Sequence, residues 1–127
     1  MILQTHLKID NGLCGTVIAL EEGYAAVELQ TTPGMVADEQ GLVHGGFIFG
    51  AADYAAMAAV NEPTVVLAAS SCRFLAPSRV GDELLFKAKC TEKDGKKFHI
   101  SVYGYCGETE IFSGEFKTVV TKRHVLE

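Results

Sequence analysis

Two groups of residues at fixed spacing carry the chemistry this sequence can offer. Asp53 is the one charge inside an otherwise apolar run from Phe47 to Val60. A carboxylate in an apolar site is costly unless it is paired, hydrogen-bonded or protonated. It therefore either sits at the solvent end of its element or against a backbone group, or it is placed for chemistry. His44-Gly45-Gly46 opens the same run. The first turn of a helix carries unpaired N–H groups and the positive end of the macrodipole, and glycines leave those groups uncovered. Such a turn can hold developing negative charge on a carbonyl oxygen, or it can simply be a tight entry into the helix. Gly45 and Asp53 are eight residues apart, which at about 1.5 Å per residue is roughly 12 Å along a helix axis. One small reacting group cannot touch both. If both act on one substrate, the Asp must come from a second copy, and the site is shared in a symmetric dimer.

The element that positions these residues is a helix, and its composition says how it is enclosed. A helix that is apolar on every face must be buried, and its many alanines and glycines require a close neighbour, expected to be a sheet wrapped around it. Asn61-Glu62-Pro63 ends the helix, because proline cannot continue it and disfavours helical geometry in the residue before it. Strands are expected at 13–20 and 24–30, joined by Glu21-Glu22-Gly23 as a hairpin. A polar loop, Thr31 to Leu42, then delivers the chain to His44. After the helix, strands are expected at 64–76, 83–91, 97–106 and 111–121, with a tight turn at Lys93-Asp94-Gly95-Lys96. The order is α+β, an antiparallel sheet wrapped around one long central helix, in a single domain spanning 1–127.

Composition narrows the function classes. The chain has 127 residues, 48% hydrophobic and 21% charged, with a net charge of −5. Its 11 basic residues are spread along the chain, leaving no footprint for nucleic acid or an anionic membrane. The longest apolar run falls short of the roughly 20 residues of a spanning helix. The N-terminus has no basic segment followed by a cleavage pattern, which points to a cytoplasmic protein. Cys14, Cys72, Cys90 and Cys106 are widely separated and read as reduced core thiols. His6, His44, His99 and His124 form no ligand spacing either, so no metal is expected.

His44-Gly45-Gly46-x-x-Phe49-x-x-Ala52-Asp53-x-Ala55, ending in Asn61, resembles the signature of hotdog-fold acyl-CoA thioesterases. The likeness is to the phenylacetate-degradation (PaaI)-like HGG subgroup, and extends from about Gly12 to Val120 through Phe74-Leu75-x-Pro77 and Gly81-Asp82-x-Leu84. The resemblance implies hydrolysis of a CoA thioester at a dimer interface, in a homodimer or a dimer of dimers, with coenzyme A as part of the substrate and no separate cofactor. Its carbonyl oxygen would lie on the Gly45 N–H, aided by Gly46, and the partner copy's Asp53 would attack the carbonyl or activate a water. By the same analogy His44 orients the loop or contacts the thioester. Phe47, Phe49, Tyr54, Met57 and Phe74 are candidates to line the acyl pocket.

Two departures from the pattern bear on the mechanism. Asp38 stands where many relatives carry an Asn that helps hold a water or the carbonyl. Leu67 stands where relatives often place a Ser or Thr on the strand after the helix, leaving Thr64, Ser70 or Ser71 as substitutes. These losses keep open a non-catalytic acyl-CoA-binding protein, a sensor or scaffold. A hydratase or dehydratase of acyl thioesters is the third reading, but Asp38 and His44 are out of register for the usual Asp-x-x-x-x-His.

Overall fold

The computed structural model describes all of residues 1–127. A one-turn helix α1 (Asn11–Cys14) precedes the hairpin β1 (Thr16–Glu21) and β2 (Tyr24–Gln30). A loop containing a 3₁₀ turn, Pro33–Met35, leads into the long helix α2 (Gly45–Val60). Four strands follow: β3 (Val65–Phe74), β4 (Glu83–Asp94), β5 (Lys97–Cys106) and β6 (Thr109–Val120). All pair antiparallel in one sheet of order β1-β2-β4-β5-β6-β3. This is the hotdog arrangement, the sheet curled around α2.

The apolar helix is buried as its composition requires. Ile48, Ala51, Ala52 and all six residues from Tyr54 to Ala59 are buried. The alanines bring the helix close to β2 and β4, whose inward residues Ala25, Val27, Leu29, Leu84, Phe86 and Ala88 are fully buried. Asn61 ends the helix in the left-handed conformation (φ 52°, ψ 44°), its N–H donating to the Met57 carbonyl.

Most expected strands stand, with shifted ends. The first does not begin at Leu13. Asp10 accepts the Gly12 N–H at 2.9 Å and caps α1, which takes Leu13 and Cys14 into helix. Gly15 then turns the chain at φ 93°, where an added Cβ would lie 2.6 Å from Val27 Cγ1 and 2.8 Å from the Glu28 carbonyl oxygen. β3 stops at Phe74 because the Leu75 and Ala76 N–H groups both turn to the Ile111 carbonyl. β4 runs on to Asp94, which pairs with Lys97, so the hairpin loop is Gly95-Lys96 alone. Gly95 has φ 60° at its first position, as a tight hairpin turn of this length demands.

The two edges of the sheet differ. β1 is short, whereas β3 has ten residues, with Ala68 to Ser71 exposed. β3 pairs Ser70 with Phe116, Cys72 with Gly114 and Phe74 with Phe112, so these three face the helix side of the sheet. Ser70 and Phe74 are nonetheless exposed, because α2 packs mainly on β2, β4 and β5 and leaves the β3 margin uncovered. A bulge between Leu67 and Ala69 re-aims the start of this strand.

Candidate functional site

The first turn of α2 is open. His44 is its N-cap residue in extended conformation, with no side-chain capping bond, and its own N–H donates to the Met35 carbonyl at 2.9 Å. The Gly45 and Gly46 N–H groups have no partner in the chain, while the Phe47 N–H returns to the His44 carbonyl at 3.1 Å. The His44 imidazole folds back over this turn: a Cβ on Gly46 would lie 3.0 Å from its Nε2. Phe74 closes the other side, its ring 3.6 Å from where a Cβ on Gly45 would sit.

Asp53 lies at the opposite end of the same β-strand margin. Together with Thr5, His6, Met57, Pro63, Val65, Val66, Leu67 and His124 it lines a cavity of about 370 Å³. Its Oδ1 is buried without a hydrogen-bond partner. Burial pushes its pKa up to about 6, since no donor or cation compensates the lost solvation. Its charge is felt from both flanks, because burial first and then Asp10 and Asp53 raise the Cys14 thiol, and burial and Asp53 raise the Cys72 thiol.

The other sequence-selected residues fall into three places. Phe74 stacks edge-on against Phe112 with centroids 5.3 Å apart, beside Gly45. Phe49 packs on Phe116 inside the sheet at 5.6 Å. Tyr54 is buried and faces a larger cavity, about 480 Å³, between the N-terminal segment and β1. Asp38 closes its own loop, with Oδ1 accepting the Gln40 and Leu42 N–H groups at 2.9 and 3.2 Å. It lines a separate polar cavity with Arg79 and Asp82. Within one copy, Gly45, Gly46, His44 and Phe74 form one cluster and Asp53 stands apart, as the helix spacing requires.

Sequence reading did not find the residues that accompany Asp53. Leu67 does face its cavity, as an apolar wall, and Thr64 spends its hydroxyl on the Thr121 carbonyl at 2.7 Å. The hydroxyl in the cavity belongs to Thr5, and the imidazoles to His6 and His124. These come from the two ends of the chain, and no local pattern announces them.

A family model described as the thioesterase superfamily matches residues 40–112. Among curated proteins, the chain is 52% identical over 119 residues to a protein named methylthioribose-1-phosphate isomerase from Aquifex aeolicus, covering 94% of this chain but 26% of that protein. It is 27% identical over 114 residues to the transcription factor FapR of Caldanaerobacter subterraneus, covering 89% of this chain and 57% of that one. The chain thus spans between a quarter and somewhat over half of the length of these relatives. Among solved structures, protein PH1136 of Pyrococcus horikoshii matches with TM-score 0.99 and 50% identity over 100% of this chain and 98% of that one. Cj0977, a sigma28-regulated virulence protein from Campylobacter jejuni, matches with TM-score 0.94 and 38% identity over 97% and 95%. The fold alone is shared with the E. coli PaaI protein, at TM-score 0.79 and 24% identity over 88% and 83%. The same holds for smu.793 of Streptococcus mutans, solved with acetyl CoA, at TM-score 0.81 and 22% identity over 94% and 99%.

Proposed function

The chain belongs to the thioesterase superfamily, and from that premise we propose that it hydrolyses acyl-CoA thioesters at a site shared by two copies. The observation that carries this reading is the unpartnered, buried carboxylate oxygen of Asp53, facing a cavity at one end of an edge strand whose other end holds the open Gly45 and Gly46 N–H groups. A buried carboxylate left without a donor is costly and is kept where it does chemistry.

The edge strand supplies the geometry for sharing. Val65 and Leu67 mark the Asp53 end of β3 and Phe74 marks the glycine end. Antiparallel pairing of β3 with its own copy, centred near Ala69 and Ser70, sets the glycine end of one copy against the Asp53 end of the other. It also covers the exposed helix-side residues Ser70 and Phe74 and the unpaired edge.

In the hydrolysis, the thioester carbonyl oxygen lies on the Gly45 and Gly46 N–H groups at the positive end of α2, where the oxyanion is stabilised. The partner's Asp53 removes a proton from water as the water oxygen bonds to the carbonyl carbon. The tetrahedral oxyanion collapses, the C–S bond breaks, and the thiolate leaves and takes the proton from Asp53. Direct attack by the carboxylate is the alternative course on the same atoms. The thioester class is supported by the acetyl CoA carried by a fold neighbour. The isomerase name describes a protein of which this chain matches 26%, so it does not transfer.

A second reading, acyl-CoA binding without turnover, is favoured by one observation. Relatives named as transcription factors share 27% identity with this chain. Free-thiol release from acyl-CoAs ranging from acetyl to palmitoyl, with phenylacetyl and benzoyl, separates the two. Turnover that depends on Asp53 supports hydrolysis; saturable binding without thiol release supports the binding protein.

A further inference from the structure

The N-terminal segment forms a strap tied to the end of α2, and it brings one side chain, His6, into the cavity that Asp53 lines. Asn61 anchors it: its Oδ1 accepts the Gln4 N–H at 2.7 Å and its Nδ2 donates to the Ile2 carbonyl at 2.9 Å. Thr5 is buried, and its Oγ1 lies 2.8 Å from His6 Nδ1. His6 has φ 55°, and Asn61, the helix cap, is the one other non-glycine residue with positive φ. A left-handed His off a helix end is strained, and such strain clusters where function fixes a side chain. His6 lines both the Asp53 cavity and the apolar cavity over Tyr54, so it stands where the two meet.

We propose that His6, oriented by Thr5, is the second group that holds the hydrolytic water in the Asp53 cavity. Its Nδ1–H donates to Thr5 Oγ1, which leaves the Nε2 lone pair to accept one O–H of the water whose other O–H points at Asp53. This role deepens the hydrolytic reading above and rests on it. The wall of the cavity contributed by β3 is Val65, Val66 and Leu67, with no polar side chain to hold a water. The strap supplies that group instead. Thr5 and His6 are adjacent, so Thr5 fixes the ring while His6 touches the water; Thr5 is the positioning residue.

The proton inventory is simple. Water gives one proton to Asp53 as its oxygen bonds to the carbonyl carbon, and that proton leaves on the thiol sulfur. His6 stays neutral throughout and accepts a hydrogen bond only. Burial holds the His6 pKa below its usual value, which keeps the ring neutral near pH 7. The other titratable groups around the pair are His124 in the same cavity, Cys14 on α1, Cys72 on β3 and Tyr54 on α2.

The test measures kcat and KM against pH for wild type, His6→Ala, His6→Gln and Thr5→Val, each checked for folding and oligomeric state. His6→Ala lowers kcat by about tenfold or more with KM little changed, as expected for loss of a transition-state contact. Gln carries a side-chain acceptor, so His6→Gln recovers most of that loss, and Thr5→Val falls in between. Because hydrolysis needs both Asp53 ionised and His6 neutral, the acid limb of log kcat steepens toward a slope of two in wild type and returns to one in His6→Gln. Equal kcat and an unchanged acid limb in folded His6→Ala, beside an active wild type, overturn the inference and leave the thioesterase reading intact. A wild type that turns over no acyl-CoA overturns that reading and this role with it. Independently of turnover, the His6 ring titration followed by nitrogen NMR shifts to lower pH in Asp53→Asn, which has lost the charge in the shared cavity. A His6 titration indifferent to that change overturns the placement of the ring against Asp53.

Discussion

The first turn of α2 and the stretch around Asp53, about two turns further along, are built in opposite ways. The first turn is a backbone site: two glycine N–H groups, an exposed His44 and an exposed Phe74, all set by residues close in sequence or by one strand end. The Asp53 end is a side-chain site, an unpartnered carboxylate walled by β3 and roofed by the two chain ends. Backbone donors need no desolvated charge and stay open to a substrate. A carboxylate becomes a useful base near neutral pH only once burial has raised its pKa. Within one copy the eight residues between Gly45 and Asp53 hold the open N–H groups of the first turn about 12 Å from the carboxylate at mid-helix.

The sharpest way to break this division is to remove the charge. Asp53→Asn and Asp53→Ala lower thiol release by about 100-fold or more, some 2.7 kcal/mol of transition-state stabilisation, in variants that remain folded. Next in size, Ser70→Glu sets two carboxylates near the two-fold centre of the paired β3 strands. It leaves the monomer fold intact, shifts sedimentation toward monomer, and lowers activity by about tenfold at micromolar protein.

The carboxylate also separates the two ends in stability. Its native pKa of about 6 lies above its ordinary 3.8, so the folded chain keeps a proton that the unfolded chain has lost within that window. Stability contributed by this group therefore falls as pH rises from 3.8 to about 6 and is lower by about 3 kcal/mol above it. Asp53→Asn accordingly raises the Tm at pH 8 by about ten degrees, a gain that vanishes below pH 4. In wild type the same titration appears as activity rising with pH to a plateau above about 6. At the glycine end no such charge exists. There Gly46→Ala pushes the His44 ring aside, lowering activity by a few-fold with a flat stability–pH difference.

The smallest effect concerns the strap. Asn61→Gly keeps the left-handed helix cap but loses both bonds to the N-terminal segment, costing about 1 kcal/mol, with faster amide exchange confined to residues 2–6.

How much of this was readable from the sequence follows the same division. An apolar, alanine-rich run with no polar face dictated a buried helix, and alternating strands dictated the sheet that buries it. The HGG turn and the eight-residue spacing to Asp53 made the open first turn and its separation from the carboxylate legible, and the proposed second copy follows from that separation. The element ends were less readable, because Asp10 capping a single turn and the Ile111 carbonyl drawing Leu75 and Ala76 off β3 are local contests with small energies. Thr5, His6 and His124 were not readable at all. They reach Asp53 only through the closure of both chain ends over α2, a tertiary contact that carries no periodicity and no spacing. Asp38 was read from a motif position, whereas its carboxylate serves the turn at Gln40 and Leu42.

The central claim, that one site draws Gly45 from one copy and Asp53 from the other, is tested by mixing two inactive variants. Gly45→Val blocks the backbone donors and Asp53→Asn removes the base, and each is inactive alone. When the two are unfolded together and refolded in equal amounts, half the dimers are mixed and each carries one intact site, so a shared site restores about a quarter of wild-type activity. A site contained within one copy restores none, and a mixture as inactive as its components, with mixed dimers verified by mass spectrometry, contradicts the account.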